Sequence, residues 1–124
     1  MNKAKKIFTD EDKAKKIKEE VKKLSSIMKE LSAAQQVVCY PLIENIAFCV
    51  VHLEELRLML LRDGFYERYK NGKNQYGNHE TQASKQYAAV GKLYTNYLKK
   101  LKEYLPLGLS VKDELESFKK KHKK

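Results

Sequence analysis

The first part of the chain repeats apolar residues every three or four positions, along a narrow stripe surrounded by lysines. This spacing predicts an amphipathic helix. Thr9, with Asp12 three positions later, predicts where the helix begins. Ser25 and Ser26 favour a break, and Ser32 is suited to cap the next helix. The stripe consists of Ile17, Val21, Leu24, Met28 and Leu31.

The second predicted helix carries the strongest apolar pattern. One row has the 4-3-4-3-4 spacing of a heptad seam over about five turns, and a second row widens the apolar face. Pro41 lies either in the first turn of this helix or inside a longer helix that begins near Ser32. Gly64 is suited to end it. The seam is Leu42, Ile46, Cys49, Leu53, Leu56 and Leu60, and the second row is Ile43, Ala47, Val50, Val51, Leu58 and Leu61.

Residues 65–82 change character: residues 65–70 alternate aromatic with charged side chains and lead into Asn71-Gly72, and residues 73–77 follow. Asn-Gly favours a two-residue type I′ turn, so this stretch predicts a short, exposed β-hairpin. Its tip either contacts DNA or a neighbouring subunit, or is only a connector, and the sequence leaves both open. The tip residues are Arg68, Lys70, Asn71, Gly72, Lys73 and Tyr76.

A third helix follows the hairpin and ends before Pro106, and Ser110 with Asp113 predicts a last short helix from Val111 to Phe118. The second and third helices are each expected to have about 22 residues, or about 33 Å, which predicts an antiparallel pair. The predicted fold is mainly α: a long antiparallel helical hairpin with a small β-hairpin connector, plus N-terminal and short C-terminal helices. The apolar row of the third helix is Tyr87, Val90, Tyr94, Tyr97, Leu101 and Tyr104.

The second helix has more apolar surface than one partner helix covers. The excess is buried against the first helix, against another copy of the chain, or against both. A closed monomeric bundle of three or four helices is the alternative to self-association. We expect self-association, through second-row residues on the side away from the seam. These candidate oligomerisation residues are Ile43, Ala47, Val51, Leu58 and Leu61.

The chain has a net charge of +10 over 124 residues, and that charge lies at its two ends. Residues 1–30 carry +4, residues 31–64 carry −2 and residues 65–124 carry +8. We expect a basic tail (1–8), one helical nucleic-acid-binding and oligomerisation domain (9–118) and a lysine-rich tail (119–124). This pattern favours a polyanionic partner over lysines that serve solubility alone. The candidate DNA contacts are Lys3, Lys5, Lys6, Lys13, Lys15, Lys16, Lys119, Lys120, Lys121, Lys123 and Lys124.

No set of residues has the spacing of a catalytic or metal site, so we expect neither an enzyme nor a cofactor. Gly72 and Gly77 have the interval of a phosphate loop, but Asn78-His79 replaces the required lysine and hydroxyl. Cys39 and Cys49 would lie about 15 Å apart on a helix, too far for a disulfide. We find no targeting segment, and charges interrupt the apolar middle, so we expect a cytoplasmic protein without a membrane span.

Several segments, taken in order, resemble the small subunit of phage terminases in its short all-helical branch. They are residues 42–48, residues 53–56 leading to Gly64, residues 67–77, residues 93–101 and residues 104–106. The resemblance covers roughly residues 15–106. It departs at residues 78–82, where similar proteins tend to have a Lys-x-Ser-Pro-like stretch.

The resemblance implies a subunit that forms a ring-like homo-oligomer and recognises the packaging start site in double-stranded viral DNA. It also implies a partner, the large terminase subunit, which supplies the ATPase and nuclease. The cytoplasm of an infected or prophage-bearing bacterium is the expected location. The alternatives are a helical adaptor that binds only protein, or a general nucleic-acid-binding oligomer. A peripheral membrane protein is disfavoured because the stripe of the first helix is narrow.

Overall fold

The computed structural model describes residues 6–70, 72 and 76–105. Among these residues it has three α-helices, one 3₁₀ helix and one two-stranded sheet, which confirms the mainly α prediction with a β-hairpin between two long helices. The predicted helix over residues 111–118, residues 1–5 and the tail 119–124 lie outside the described part. The elements are α1 (Asp10–Leu24), the 3₁₀ helix (Ser25–Glu30), α2 (Ala33–Asp63), β1 (Tyr66–Lys70), β2 (Tyr76–Glu80) and α3 (Gln82–Lys102).

Each of the three α-helices begins with a hydroxyl side chain that caps a backbone N–H. Thr9 accepts a hydrogen bond from Asp12 N–H, and Thr81 accepts one from Ser84 N–H. Ser32 and Gln35 form a complete capping box. Each cap stabilises its helix by about 1 kcal/mol, so these residues fix where the helices begin.

Helix α2 has 31 residues and is therefore longer than the predicted 22. It begins after Ser32 and continues through Pro41. Of the two predicted positions for this proline, the one inside a longer helix is therefore confirmed. A proline inside a helix leaves the carbonyl four residues earlier, here that of Val37, without its N–H donor. Both residues are exposed, so water can bond to this carbonyl. Gly64, with a φ of 87°, ends the helix.

Helices α1 and α3 both run antiparallel to α2. The residues just before α1 contact Glu55 late in α2, whereas Val21 near the end of α1 packs against the buried cluster that contains Ile43 early in α2. Similarly, Tyr87 near the start of α3 lies by Leu60, and Leu101 near its end packs by Ile43. The predicted antiparallel pair is therefore part of a three-helix arrangement with α2 between its partners.

The main core forms where the 3₁₀ helix and the end of α3 close over the first half of α2. Val21, Leu24 and three tyrosines of the α3 side surround it at partly buried positions. Both cysteines are free and buried, and burial raises the pKa of each thiol. The buried core residues are Ile27, Leu31, Cys39, Ile43, Ile46 and Leu101.

Some residues of the expected oligomerisation row are buried within the chain, and others are exposed. Ile43, Ala47 and Val51 are at most 3% exposed, so they cannot meet a second copy, and their assignment to an oligomer interface was wrong. The reason is that α1, one of the two partners that the sequence left open for this face, covers it within the chain. Leu58 and Leu61 remain exposed, at 37% and 84%.

Strands β1 and β2 pair antiparallel from Tyr66 with Glu80 to Lys70 with Tyr76. This register leaves five residues between the strands, so the expected two-residue Asn-Gly turn was wrong. Gly72 nevertheless has a φ of 92°, a conformation that favours glycine. Thr81 attaches the hairpin to the helices. Its backbone N–H donates a hydrogen bond to the Phe65 carbonyl, and its hydroxyl donates one to the Gly64 carbonyl.

Truncation of Ile43 tests whether the face of α2 that it occupies is internal to one chain. We expect Ile43→Ala to lower the free energy of unfolding by about 2–5 kcal/mol, because it leaves a cavity in a packed core. Val37→Ala, at a 75% exposed position of the same helix, is the control and should change stability by less than about 0.5 kcal/mol. Urea unfolding measures both, and equal midpoints for the two variants would contradict the assignment.

Candidate nucleic-acid interface

Helix α3 carries five lysines and no acidic residue over its 21 residues. All five side chains are exposed. Lys85, Lys92 and Lys99 are seven residues apart, so they lie along one edge of the helix at intervals of about 10.5 Å. Lys100 and Lys102 extend the positive charge around the last turn, where they also interact favourably with the helix dipole. We call these five residues the α3 lysine face.

Helix α1 has more lysines, but its net charge is close to neutral. Its six lysines are accompanied by five acidic residues, three of them in the first turn. Lys23 lies 3.4 Å from Glu20, and Lys6, just before the helix, pairs with Asp10 at 2.8 Å. The field that α1 presents to a polyanion is therefore weaker than that of α3, although its lysine count is higher.

The structure directs Lys13 toward α2 and not toward solvent. Its Nζ lies 2.8 Å from Glu55 Oε1 and 2.9 Å from His52 Nδ1, and its side chain is only 21% exposed. Glu55 Oε2 also accepts hydrogen bonds from the backbone N–H groups of Ile7 and Phe8. Lys13 is therefore engaged within the chain, because a buried carboxylate requires this cation as its partner, and it is a weaker candidate for DNA contact than an exposed lysine.

The protonation of this cluster follows from its surroundings. Burial alone would raise the pKa of Glu55, but the hydrogen bonds from Lys13, Phe8 and Ile7 and the charge of Lys13 together lower it. Burial lowers the pKa of His52, and the positive charge of Lys13 lowers it further. At neutral pH the cluster therefore holds a carboxylate, an ammonium group and a neutral imidazole, which attach α1 to α2.

The other predicted contacts are placed as follows. Lys15 is exposed, and Lys16 has its Nζ 4.8 Å from the centre of the Phe8 ring. In the hairpin, Arg68 is exposed and Glu67 pairs across the strands with His79 at 3.0 Å. The backbones of Lys70 and Tyr76 belong to the strands. Residues outside the described part are Lys3, Lys5, Asn71, Lys73, Lys119, Lys120, Lys121, Lys123 and Lys124.

The α3 lysine face was missed because lysines were counted along the chain and nearby acidic residues were given no weight. The signal was present: residues 82–102 are the longest helical stretch with lysines and no Asp or Glu. The seven-residue interval of Lys85, Lys92 and Lys99 also placed them on one edge. A charge count for each helix would have ranked α3 above α1.

Two other kinds of site can be assessed over the described residues. No group of three His, Cys, Asp or Glu side chains there is arranged to hold a metal ion. Contrary to the expectation from charge, one 18-residue window of α2 is apolar enough to cross a membrane, with a mean hydropathy of 1.5. The core helix of a soluble protein meets the same criterion, and α2 buries ten of its residues against the rest of this chain.

Comparisons of the chain with known protein families, with curated proteins and with solved structures gave no match. The resemblance to small terminase subunits therefore rests on the sequence segments alone. What the chain does has to be argued from its own surface charge and exposed apolar residues.

The Glu55 cluster predicts a stability that depends on pH. The pKa values of Glu55 and His52 are both lower in the folded chain than in the unfolded chain. Each group therefore stabilises the fold at a pH above its unfolded-state pKa, and this stabilisation is lost as the pH falls below that pKa. The loss should begin below about pH 6.5 with His52 and continue below about pH 4.3 with Glu55. Urea unfolding across this range measures it.

Glu55→Gln should lower the free energy of unfolding at neutral pH by about 1–3 kcal/mol, because Lys13 and two backbone N–H groups then face no charged acceptor. The difference from the unmodified chain should shrink below about pH 4.3. Glu44→Gln, at an exposed position of the same helix, is the control. A pH-independent difference for Glu55→Gln would show that the charge of this carboxylate is not what stabilises the fold.

Proposed function

We propose that this chain is a non-catalytic, self-associating subunit that binds double-stranded DNA through the α3 lysine face. The observation that carries the proposal is that this face has five exposed lysines on a helix without an acidic residue. The basic tails add to the same electrostatic attraction. The biological setting that agrees best with these features is phage DNA packaging, as the small subunit of a terminase in the bacterial cytoplasm.

The spacing of the lysines suits a phosphate backbone. Lys85, Lys92 and Lys99 extend over about 21 Å along the helix. One strand of B-DNA presents one phosphate for about every 3.4 Å of helix axis, so lysines about 10.5 Å apart can each meet a different phosphate. Lysine is a flexible point charge that contacts phosphate without reading bases. Selection of a packaging start site would then require the geometry of several copies or the bending of DNA.

The alternative of an adaptor that binds only protein is favoured by a different observation. Several large apolar side chains are exposed near the end of α2, with Leu61 at 84% and Phe65 at 55%. Such residues mark protein-binding surfaces when they form a patch. Both activities are compatible in one subunit, since this patch and the α3 lysine face comprise different residues. In a terminase, the large subunit would supply ATP hydrolysis and DNA cleavage.

Removal of the lysine stripe tests the DNA-binding proposal. We expect Lys85→Gln/Lys92→Gln/Lys99→Gln to weaken binding to duplex DNA. It should also reduce the slope of log K against log salt by about 0.9 for each phosphate that is no longer neutralised. Fluorescence anisotropy with a labelled duplex at several salt concentrations measures both quantities. The variant should keep its helicity, because all three side chains are exposed.

The matched control is Lys15→Gln/Lys18→Gln/Lys22→Gln, which removes the same charge from exposed positions on one side of α1. If net charge alone governs binding, the affinities of the two triple variants should fall equally. If the α3 lysine face is the contact, the α1 variant should change the salt slope by less than about one. No binding of the unmodified chain to DNA at low salt would overturn the proposal.

A further inference from the structure

The side of α3 that points away from α2 carries more than lysines. Ser84 and Leu101 are buried on the inner side of the helix. Ala89 and Asn96 are exposed on the opposite side. They are seven residues apart, so they lie on one line along the helix, about 10.5 Å from each other. The short side chain of Ala89 allows a partner to approach the backbone of α3 closely at that point.

Asn96 lies between lysines on this outer side. At about 100° per residue, Lys92 lies about 40° to one side of Asn96 and Lys100 about 40° to the other. All three side chains are exposed. The first acidic residue after Asn96 is Glu103, about two turns further along the chain. An uncharged amide is therefore flanked by positive charge on both sides.

Asn96 contributes neither to the core nor to the stability of the helix. Its side chain is exposed. Asparagine is a weaker helix former than alanine or lysine, because its amide competes for nearby backbone groups in non-helical conformations. The neighbouring Thr95 hydroxyl donates a hydrogen bond to the Gly91 carbonyl within the helix. The amide of Asn96, by contrast, presents an acceptor oxygen and two N–H donors to a partner.

The dimensions and chemistry of this surface suit the major groove of duplex DNA. The groove is about 12 Å wide and admits one α-helix, whose diameter with side chains is about 10–12 Å. Lysines on the two sides of such a helix meet phosphates, and the residues between them meet the edges of the bases. An asparagine amide matches adenine there, because it can accept from the N6 amino group and donate to N7.

We propose that α3 enters the major groove of DNA and that Asn96 recognises an adenine there through these two hydrogen bonds. Lys92 and Lys100 contact phosphates on either side. This inference rests on the proposed DNA binding and adds direct recognition of one base pair to it. One base pair is too little to define a start site, so the contribution of several copies or of DNA bending is still required.

The first test selects binding sites for the full-length chain from duplexes with a randomised central stretch. We expect the selected duplexes to share an adenine, and its replacement by guanine, with cytosine opposite, to weaken binding by about fivefold or more. Asn96→Ala should bind the two duplexes equally, at the weaker affinity, with an unchanged salt slope. Fluorescence anisotropy measures the affinities. Asn45→Ala, at an exposed asparagine of α2, is the control and should keep the preference.

A modified base tests the groove and the atom that is recognised. Replacement of the selected adenine by 7-deazaadenine removes the N7 acceptor in the major groove and keeps the pairing with thymine. It should weaken binding of the unmodified chain and leave the affinity of Asn96→Ala unchanged. Circular dichroism should show that Asn96→Ala keeps its helicity, because alanine is the stronger helix former.

Two results would refute recognition by Asn96: a selection that enriches no base, or an Asn96→Ala variant that keeps the preference for adenine. Equal losses with 7-deazaadenine in both chains would also contradict it, since another group would then contact N7. These outcomes leave the DNA-binding proposal standing as long as Lys85→Gln/Lys92→Gln/Lys99→Gln reduces the salt slope. If the unmodified chain binds no duplex at low salt, the proposed function and this inference both fail.

Discussion

The fold depends on the need to cover α2 from two sides. Its apolar residues occupy two adjacent rows, and a helix with so wide an apolar face is unstable in water unless both rows are buried. Helix α3 and the 3₁₀ helix cover the first half, and α1 covers a further side. The ends of α2 are fixed by the Ser32 capping box and by Gly64. The 3₁₀ helix before α2 and the β-hairpin after it reverse the chain, so that α1 and α3 both pack antiparallel against α2.

The attachment of α1 to α2 explains why the lysines of α1 present less positive charge to a partner than the lysines of α3 do. Burial of Glu55 at the α1–α2 contact requires a cation and hydrogen-bond donors, and Lys13 with the backbone of Ile7 and Phe8 supplies them. The acidic residues in the first turn of α1 suit the helix dipole there. These structural roles occupy or offset much of the charge of α1. The lysines of α3 have no such structural role, because tyrosines and leucines make the contact of α3 with α2.

Much of the fold could be predicted from the sequence because local signals determine it. Thr9, Ser32 and Gly64 mark helix ends through hydrogen bonds and φ preferences that involve only near neighbours. The alternation of residues 65–70 and the Asn71-Gly72 pair that follows likewise predicted a hairpin here, and β1 and β2 form it. The loop length of the hairpin was missed, because the Asn-Gly signal does not specify register when the flanking strands are short and exposed.

The candidate sites were less predictable, because they depend on which elements meet. Nothing near Lys13 in sequence shows that Glu55, 42 positions later, lies beside it. The internal burial of Ile43 and Val51 similarly depends on α1 covering that side, and a helical periodicity gives the faces of a helix but not their partners. The α3 lysine face required no tertiary information, only a comparison of opposite charges within each helix.

A difference in helix length explains why apolar residues remain exposed at the end of α2. Helix α2 has 31 residues and α1 has 15, so α1 can cover only about half of it. The contact of Ile7 and Phe8 with Glu55 places the start of α1 about two turns before the end of α2. Among the described residues, the first turns of α3 and Phe65 lie against α2 beyond that point, and Leu58 and Leu61 stay exposed beside an open apolar groove. The difference in length between α1 and α2 therefore leaves apolar side chains at this end of α2 in contact with solvent.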